Sequence, residues 1–264
     1  MRHSLAFFAG LSVALVLACA PSASAQGDEI QVYDGGLAPK GVFNLTLHNN
    51  FTPSGVKTPA FPGAIVSDKS LNGVPEWAYG VTSWFEAGLY MPLYSIDKNH
   101  RGGTLDGFKF RALFAVPNAD DRRFFYDANF EFSINSKHWD EKRYTSEVRP
   151  IVGWHLKPID IIVNPIVDTS YDGLKNLVFV PASRVAYNFA KVWAVAVEEY
   201  DDFGPVHKFN AVSDQSHQIY AVVDRTGGFL DVEAGAGFGM TDGSDKFQLK
   251  LILSRDLNAP RKSQ

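Results

Sequence analysis

Phe124-Phe-Tyr-Asp-Ala-Asn-Phe-Glu-Phe-Ser-Ile-Asn135 decides the fold. In an extended chain successive side chains point to opposite faces. Phe124, Tyr126, Ala128, Phe130, Phe132 and Ile134 therefore share one face, and Phe125, Asp127, Asn129, Glu131, Ser133 and Asn135 share the other. A strand with one greasy and one wet side belongs to a sheet that is apolar on a single face.

The same period of two runs outward from this stretch in both directions. Phe43, Leu45 and Leu47 alternate with Asn44, Thr46 and His48; Phe108, Phe110, Ala112 and Phe114 alternate with Lys109 and Arg111. Leu230, Val232, Ala234, Ala236 and Phe238 alternate with Asp231, Glu233 and three glycines, and Phe247, Leu249 and Leu251 alternate with Lys246, Gln248 and Lys250. The pattern predicts about twelve strands, near 42–51, 75–82, 85–94, 107–117, 123–136, 144–156, 159–168, 178–189, 192–201, 215–225, 229–239 and 246–256. Pro92, Pro150, Pro165 and Pro181 fall inside these strands, where each removes a ladder donor and marks a bulge or a misplaced end.

Connections alternate long and short. Residues 52–74, 95–106, 137–143, 169–177 and 202–214 are the longer ones; Ser83-Trp84, 118–122, Lys157-Pro158, Ala190-Lys191 and 226–228 are tight. Transmembrane barrels have short periplasmic turns and longer extracellular loops, with aromatic girdles at both interfaces. Trp84, Phe85, Phe124, Trp154 and Trp193 sit beside the tight turns; Phe51, Tyr94, Tyr144 and Phe179 sit near the long loops. The expected fold is all-β: a closed up-and-down antiparallel transmembrane β-barrel.

The chain's beginning reads as an export signal. Arg2 and His3 precede a largely apolar run from Leu5 to Ala18, and Ala23-Ser-Ala25 is a small-residue cleavage site. That run is shorter than the roughly 20 residues a spanning helix needs. Val16-Leu-Ala-Cys19 offers the alternative of a lipidated Cys19, the chain's one cysteine. The expected division is 1–25 signal peptide, 26–41 periplasmic N-terminal segment, 42–257 outer-membrane barrel and 258–264 polar tail. With 25 Lys and Arg against 29 Asp and Glu the net charge is −4, and no basic stripe suits a nucleic acid.

Ala78-Tyr-Gly-Val-Thr-Ser-Trp-Phe-Glu-Ala-Gly-Leu-Tyr-Met-Pro-Leu93 resembles the strand–turn–strand unit of the outer-membrane barrels known as MetA-pathway of phenol degradation-type transporters. Tyr79, Gly80, Thr82, Glu86 and Gly88 carry the likeness; Val185-Ala-Tyr-Asn-Phe189 with Trp193 to Glu198 is a looser second copy. The resemblance implies an outer-membrane barrel of a Gram-negative bacterium and a channel for small, often aromatic or apolar, compounds.

Charges on the polar faces are the candidate lumen lining: Lys109, Arg111, Asp127, Glu131, Glu147, Arg149, Asp160, Arg184, Asp224, Asp231, Glu233, Lys246 and Lys250. Twelve strands enclose little more than side chains; wide aqueous channels need 16 or more. The expected function is a narrow channel for passive passage of a small molecule. The alternatives are a structural barrel with a plugged lumen, an outer-membrane hydrolase, and a secreted lipocalin-like binder. His138 beside Asp140 and Glu141 is the one cluster that invites catalysis or metal binding, and no serine stands beside a histidine in a nucleophile motif. The reading therefore assigns no catalytic, cofactor or metal residues and no cofactor. The expected partners are outer-membrane lipid, the barrel-assembly machinery during biogenesis and an unidentified small solute.

Overall fold

The computed structural model describes residues 27–100 and 102–258. The expected signal segment, and the tail beyond Asn258, lie outside them. The chain forms a closed antiparallel up-and-down barrel of twelve strands. They are β1 Phe43–Ser54, β2 Ser70–Gly80, β3 Phe85–Ile96, β4 Thr104–Ala115, β5 Phe124–Asn135 and β6 Tyr144–His155. Then come β7 in two pieces, Ile159–Asn164 and Val167–Thr169, and β8 in two pieces, Val178–Phe179 and Ala182–Ala190. β9 Trp193–Asp202, β10 Ser216–Arg225, β11 Asp231–Gly239 and β12 Phe247–Asp256 complete the wall. β12 returns to β1 with Leu253 opposite Leu47, so the sheet has no free edge.

β5 shows why these residues form this wall. Its even-numbered side chains are exposed or half-buried and its odd-numbered ones buried, in strict alternation. Outside, Phe43, Leu47, Phe110, Phe130, Val185, Val197, Leu249 and Leu251 are exposed. Inside, Arg111, Asp127, Glu131, Arg149, Arg184 and Lys250 are buried. A lipocalin-like binder needs the opposite polarity, so that alternative falls. Aromatic contacts gather at both rims: Trp84, Phe85 and Phe114 stack at the short-turn end, with Phe85 and Phe114 at 4.9 Å. Phe132 and Tyr144 stack at 6.0 Å near the long loops.

Two expectations shift. β1 runs on to Ser54 and β2 begins at Ser70, so the first long connection is 55–69 and not 52–74. The added rungs alternate as the rest of the wall does, with polar Asn50–Asn72 and Thr52–Ser70 on either side of apolar Phe51–Leu71.

The prolines act in two ways. Pro92 sits at a register shift between Tyr90 and Leu93, a bulge. Pro150 and Pro165 do something else. The ladder between β6 and β7 stops at Val152–Val163 and resumes at Val148–Val167, and the unchanged register sets Pro150 opposite Pro165. Pro181 follows in the same row on β8, with its carbonyl turned to the amide of Asp201 on β9. Both N–H groups needed at the Pro150–Pro165 rung are missing, which opens a bond-free seam of roughly 13 Å at about 3.3 Å per residue.

Candidate functional site

The lumen is occupied by the chain's own N-terminal residues. Asp28, Glu29, Ile30, Val32 and Tyr33 are buried. The expected periplasmic segment 26–41 is corrected on this point: its described first part lies within the wall. No alternation or motif announces this, because the segment pairs with side chains and not with a backbone ladder.

Its fastenings run from one side of the barrel to the other. Lys109 Nζ meets Asp28 Oδ2 at 2.7 Å. Asn50 donates to the carbonyl of Gly27 at 3.3 Å and Lys250 to that of Ile30 at 3.2 Å. Arg149 donates to the carbonyl of Gln31 at 3.0 Å, and its guanidinium lies 4.3 Å from the centre of the Tyr33 ring. Asn164 accepts from the Tyr33 amide at 2.7 Å and donates to the Tyr33 carbonyl at 3.0 Å, as a neighbouring strand would. Arg149 and Asn164 flank the proline seam, so the segment is seated against the weakest part of the ladder.

The short-turn end explains the residues of the Ala78–Leu93 unit. Glu86 accepts from the Ala38 amide at 2.5 Å and pairs with Arg111. A Cβ on Gly80 would come within 2.2 Å of the Ala38 carbonyl, and one on Gly88 within 2.7 Å of Arg111 Nε. Thr82 Oγ1 accepts the Trp84 amide in the turn, and the Tyr79 ring packs on Phe43 with centres 4.5 Å apart and planes tilted by 37°. The unit is thus a socket for Arg111 and for the segment's backbone.

The charged interior divides into knots. Arg111 joins Glu76 at 2.6 Å and Glu86, and His48 Nε2 reaches Glu76 at 3.0 Å. Glu131 accepts from Asn129 at 3.0 Å and faces Lys109 at 3.7 Å. Arg149 clasps Glu147 at 2.6 Å. Arg184 contacts Glu198, Asp224 and Glu233, while Lys250 contacts Glu198 and, at 2.6 Å, Glu233. Asp127 is buried and accepts the Val116 amide at 2.6 Å.

Three of the sequence candidates stand apart from these knots. Asp160 pairs with His155 at 2.8 Å beside a short turn. Asp231 is exposed and accepts the Gly227 amide in its turn. Lys246 is half exposed and faces Asp242 at 3.6 Å in a long loop. The lumen-lining set expected from the sequence leaves out His48, Glu76, Glu86, Glu198, Asn129 and Asn164, although His48 and Asn129 stand on its polar faces and Glu86 in the Ala78–Leu93 unit. Glu198 was within reach: counting inward positions from exposed Val195 and Val197 places it inside. Asp28, Glu29 and Tyr33 had no such signal.

His138 Nε2 is 2.7 Å from Asp106, and Ser136 Oγ donates to the Leu105 carbonyl and not to the histidine.

The barrel is similar to a solved outer membrane channel of the COG4313 group from Pseudomonas putida F1, with a TM-score of 0.58 at 12% identity over 87% of this chain and 100% of that one. It is more loosely similar to the translocator domain of the autotransporter NalP from Neisseria meningitidis (TM-score 0.45, 8% identity, 83% of this chain and 90% of that one). LpxR from Salmonella typhimurium matches at 0.40 and 7% identity over 80% and 99%. Identities this low speak to fold alone, and the latter two are too loose to argue from. No protein-family model and no curated protein sequence matches the chain.

Proposed function

We propose that the protein is an outer-membrane channel for passive passage of a small solute, and that residues 27–38 are its removable filling. The carrying observation is the mode of attachment. The segment is held by side-chain contacts from Lys109, Arg149, Asn164 and Lys250, so it can leave without breaking the wall's ladder. The exposed apolar exterior supports a lipid setting, because a closed barrel satisfies its backbone in hydrocarbon. The likeness of Ala78–Leu93 to the MetA-pathway barrels supports a small aromatic or apolar cargo. The export signal, cleavage after Ala25 and delivery by the assembly machinery belong to the same reading.

The test compares the full chain with one lacking residues 27–38, both in liposomes and planar bilayers. The reading expects little solute flux through the full chain and conductance several-fold higher through the shortened one. Absence of flux in both, with heat-shifted gel mobility showing both folded, would leave a structural barrel with a permanently filled lumen.

A further inference from the structure

His100 and His138 lie far apart in the chain, one in the 97–103 connection and one in 136–143, yet their ring centres are 5.9 Å apart with the planes tilted by 37°. Each ring is oriented by its own carboxylate. His100 Nδ1 is 2.8 Å from Asp97 Oδ1, and His138 Nε2 is 2.7 Å from Asp106 Oδ1. Both carboxylates are fully buried while the histidine side chains are 30% and 25% exposed.

The carboxylates are themselves fixed. Asp97 accepts the Val66 amide at 2.8 Å and the Asn99 amide at 3.1 Å. Asp106 accepts from Thr104 Oγ1 at 2.6 Å and Ser95 Oγ at 2.5 Å. A carboxylate acceptor fixes the ring proton on the nitrogen facing it. His100 Nε2 and His138 Nδ1 then carry the lone pairs, and among the described residues neither has a hydrogen-bond partner.

Metal-bound histidines characteristically give their other N–H to a carboxylate, which orients the ring and raises its basicity. Two imidazoles on one tetrahedral ion, with N–metal distances of about 2.0–2.1 Å, place their ring centres roughly 5–6 Å apart. We infer that His100 and His138 form a two-imidazole site for a divalent transition ion of the zinc, copper or nickel type at the long-loop end. Imidazole selects those ions over calcium and magnesium. Among the described residues no group of three or more His, Cys, Asp and Glu gathers around one point. Water or a passing solute therefore fills the remaining positions, and the site is open.

Such an ion would clasp the 97–103 connection to the 136–143 connection. The 55–69 connection is already tied to both, through the Ile65 amide on the His138 carbonyl at 3.0 Å and the Val66 amide on Asp97. The inference stands independently of the transport reading.

The test is calorimetric titration of the untagged full chain in detergent with zinc sulfate, and with magnesium sulfate as the control. One zinc per chain and no magnesium binding are expected. His100→Ala and His138→Ala should each weaken zinc binding at least tenfold, while His207→Ala leaves it unchanged. With copper, electron paramagnetic resonance should show coupling to two imidazole nitrogens, reduced to one in either variant. Heat-shifted gel mobility checks that each variant is folded. No zinc binding by the intact chain, or binding that survives both substitutions, overturns the inference.

Discussion

Two regions of the barrel, β1–β5 and β6–β10, solve the problem of a filled interior differently. Across β1–β5 most inward side chains are polar, with Thr46, His48, Asn50, Glu76, Arg111, Asn129 and Glu131 all buried, while Val74, Tyr90 and Leu93 form a small apolar cluster among them. Across β6–β10 the inward side chains are mostly apolar: Ile151, Ile162, Ile166, Val180, Ala182, Ala186, Ala196, Tyr200, Tyr220 and Val222 form one cluster with Ile30, Val32 and Tyr33. The wall differs too. Between β4 and β5 it pairs without interruption from Gly107–Asn135 to Ala115–Asp127, while β6 and β7 part at the proline rung. The polar region offers anchors for charge and carbonyls. The apolar region offers a surface that gains from contact, roughly 25 cal/mol per Å² of apolar area removed from water. The N-terminal segment satisfies both, with Asp28 toward one side and Ile30 and Val32 toward the other.

The contrast is sharpest at the charged knot of Arg184, Glu198, Glu233 and Lys250, which borders the apolar cluster at Tyr200 and Tyr220. Lys250→Met removes a cation from buried Glu198 and from Glu233 and leaves the two carboxylates sharing Arg184. Breaking one partner of a buried pair costs about 3–5 kcal/mol. Lys109→Met in the polar region should cost less, because among the described residues only Asp28, at 2.7 Å, lies close to that amine and Glu131, at 3.7 Å, keeps the Asn129 donor. Urea unfolding in lipid or detergent measures both, and equal losses would dissolve the distinction.

Next in size is Gly80→Ala. Its Cβ would come within 2.2 Å of the Ala38 carbonyl and 2.4 Å of the Pro39 carbonyl, both backbone atoms. Overpacking of this kind costs about 1–3 kcal/mol. The segment can escape the clash by leaving its socket, so trypsin should cut at Lys40 faster than in the parent chain. Unchanged cutting would mean that the short-turn end has slack that the geometry does not show.

Joint Pro150→Val and Pro165→Val substitution tests the wall. It restores two donors at one rung, and each net hydrogen bond contributes about 0.5–1.5 kcal/mol. Hydrogen exchange at Val148, Val152, Val163 and Val167 should slow. Exchange as fast as in the parent would show that the seam has a cause other than the missing donors.

The smallest effect is confined to the long loops. Burial pushes the Asp97 carboxyl up, but the Val66 and His100 amides and the His100 ring outweigh it and hold it below the usual carboxylate range. A depressed carboxyl adds stability above its unfolded pKa, and that stability is lost as pH falls through the folded value. Acidification should therefore loosen the 55–69 and 97–103 connections while the barrel persists, visible as faster exchange of the Val66 amide. A loop that stays protected in acid would remove Asp97 from that role.

Period-two alternation and the alternation of long and short connections were enough to reach an antiparallel barrel of twelve strands, because a strand's faces are set by neighbours in sequence. The inward positions of Arg111, Glu131, Arg149, Arg184 and Lys250 followed from the same local rule. What fills the interior did not, since Tyr33 meets Asn164 and Lys250 meets Ile30 only after the wall has closed. The proline seam is of the same kind. Each proline was visible alone, but Pro150 faces Pro165 only through strand register. His100 and His138 likewise become neighbours only when two connections are carried to the same rim. Pairings between residues distant in the chain depend on where the backbone returns, and that is decided in three dimensions.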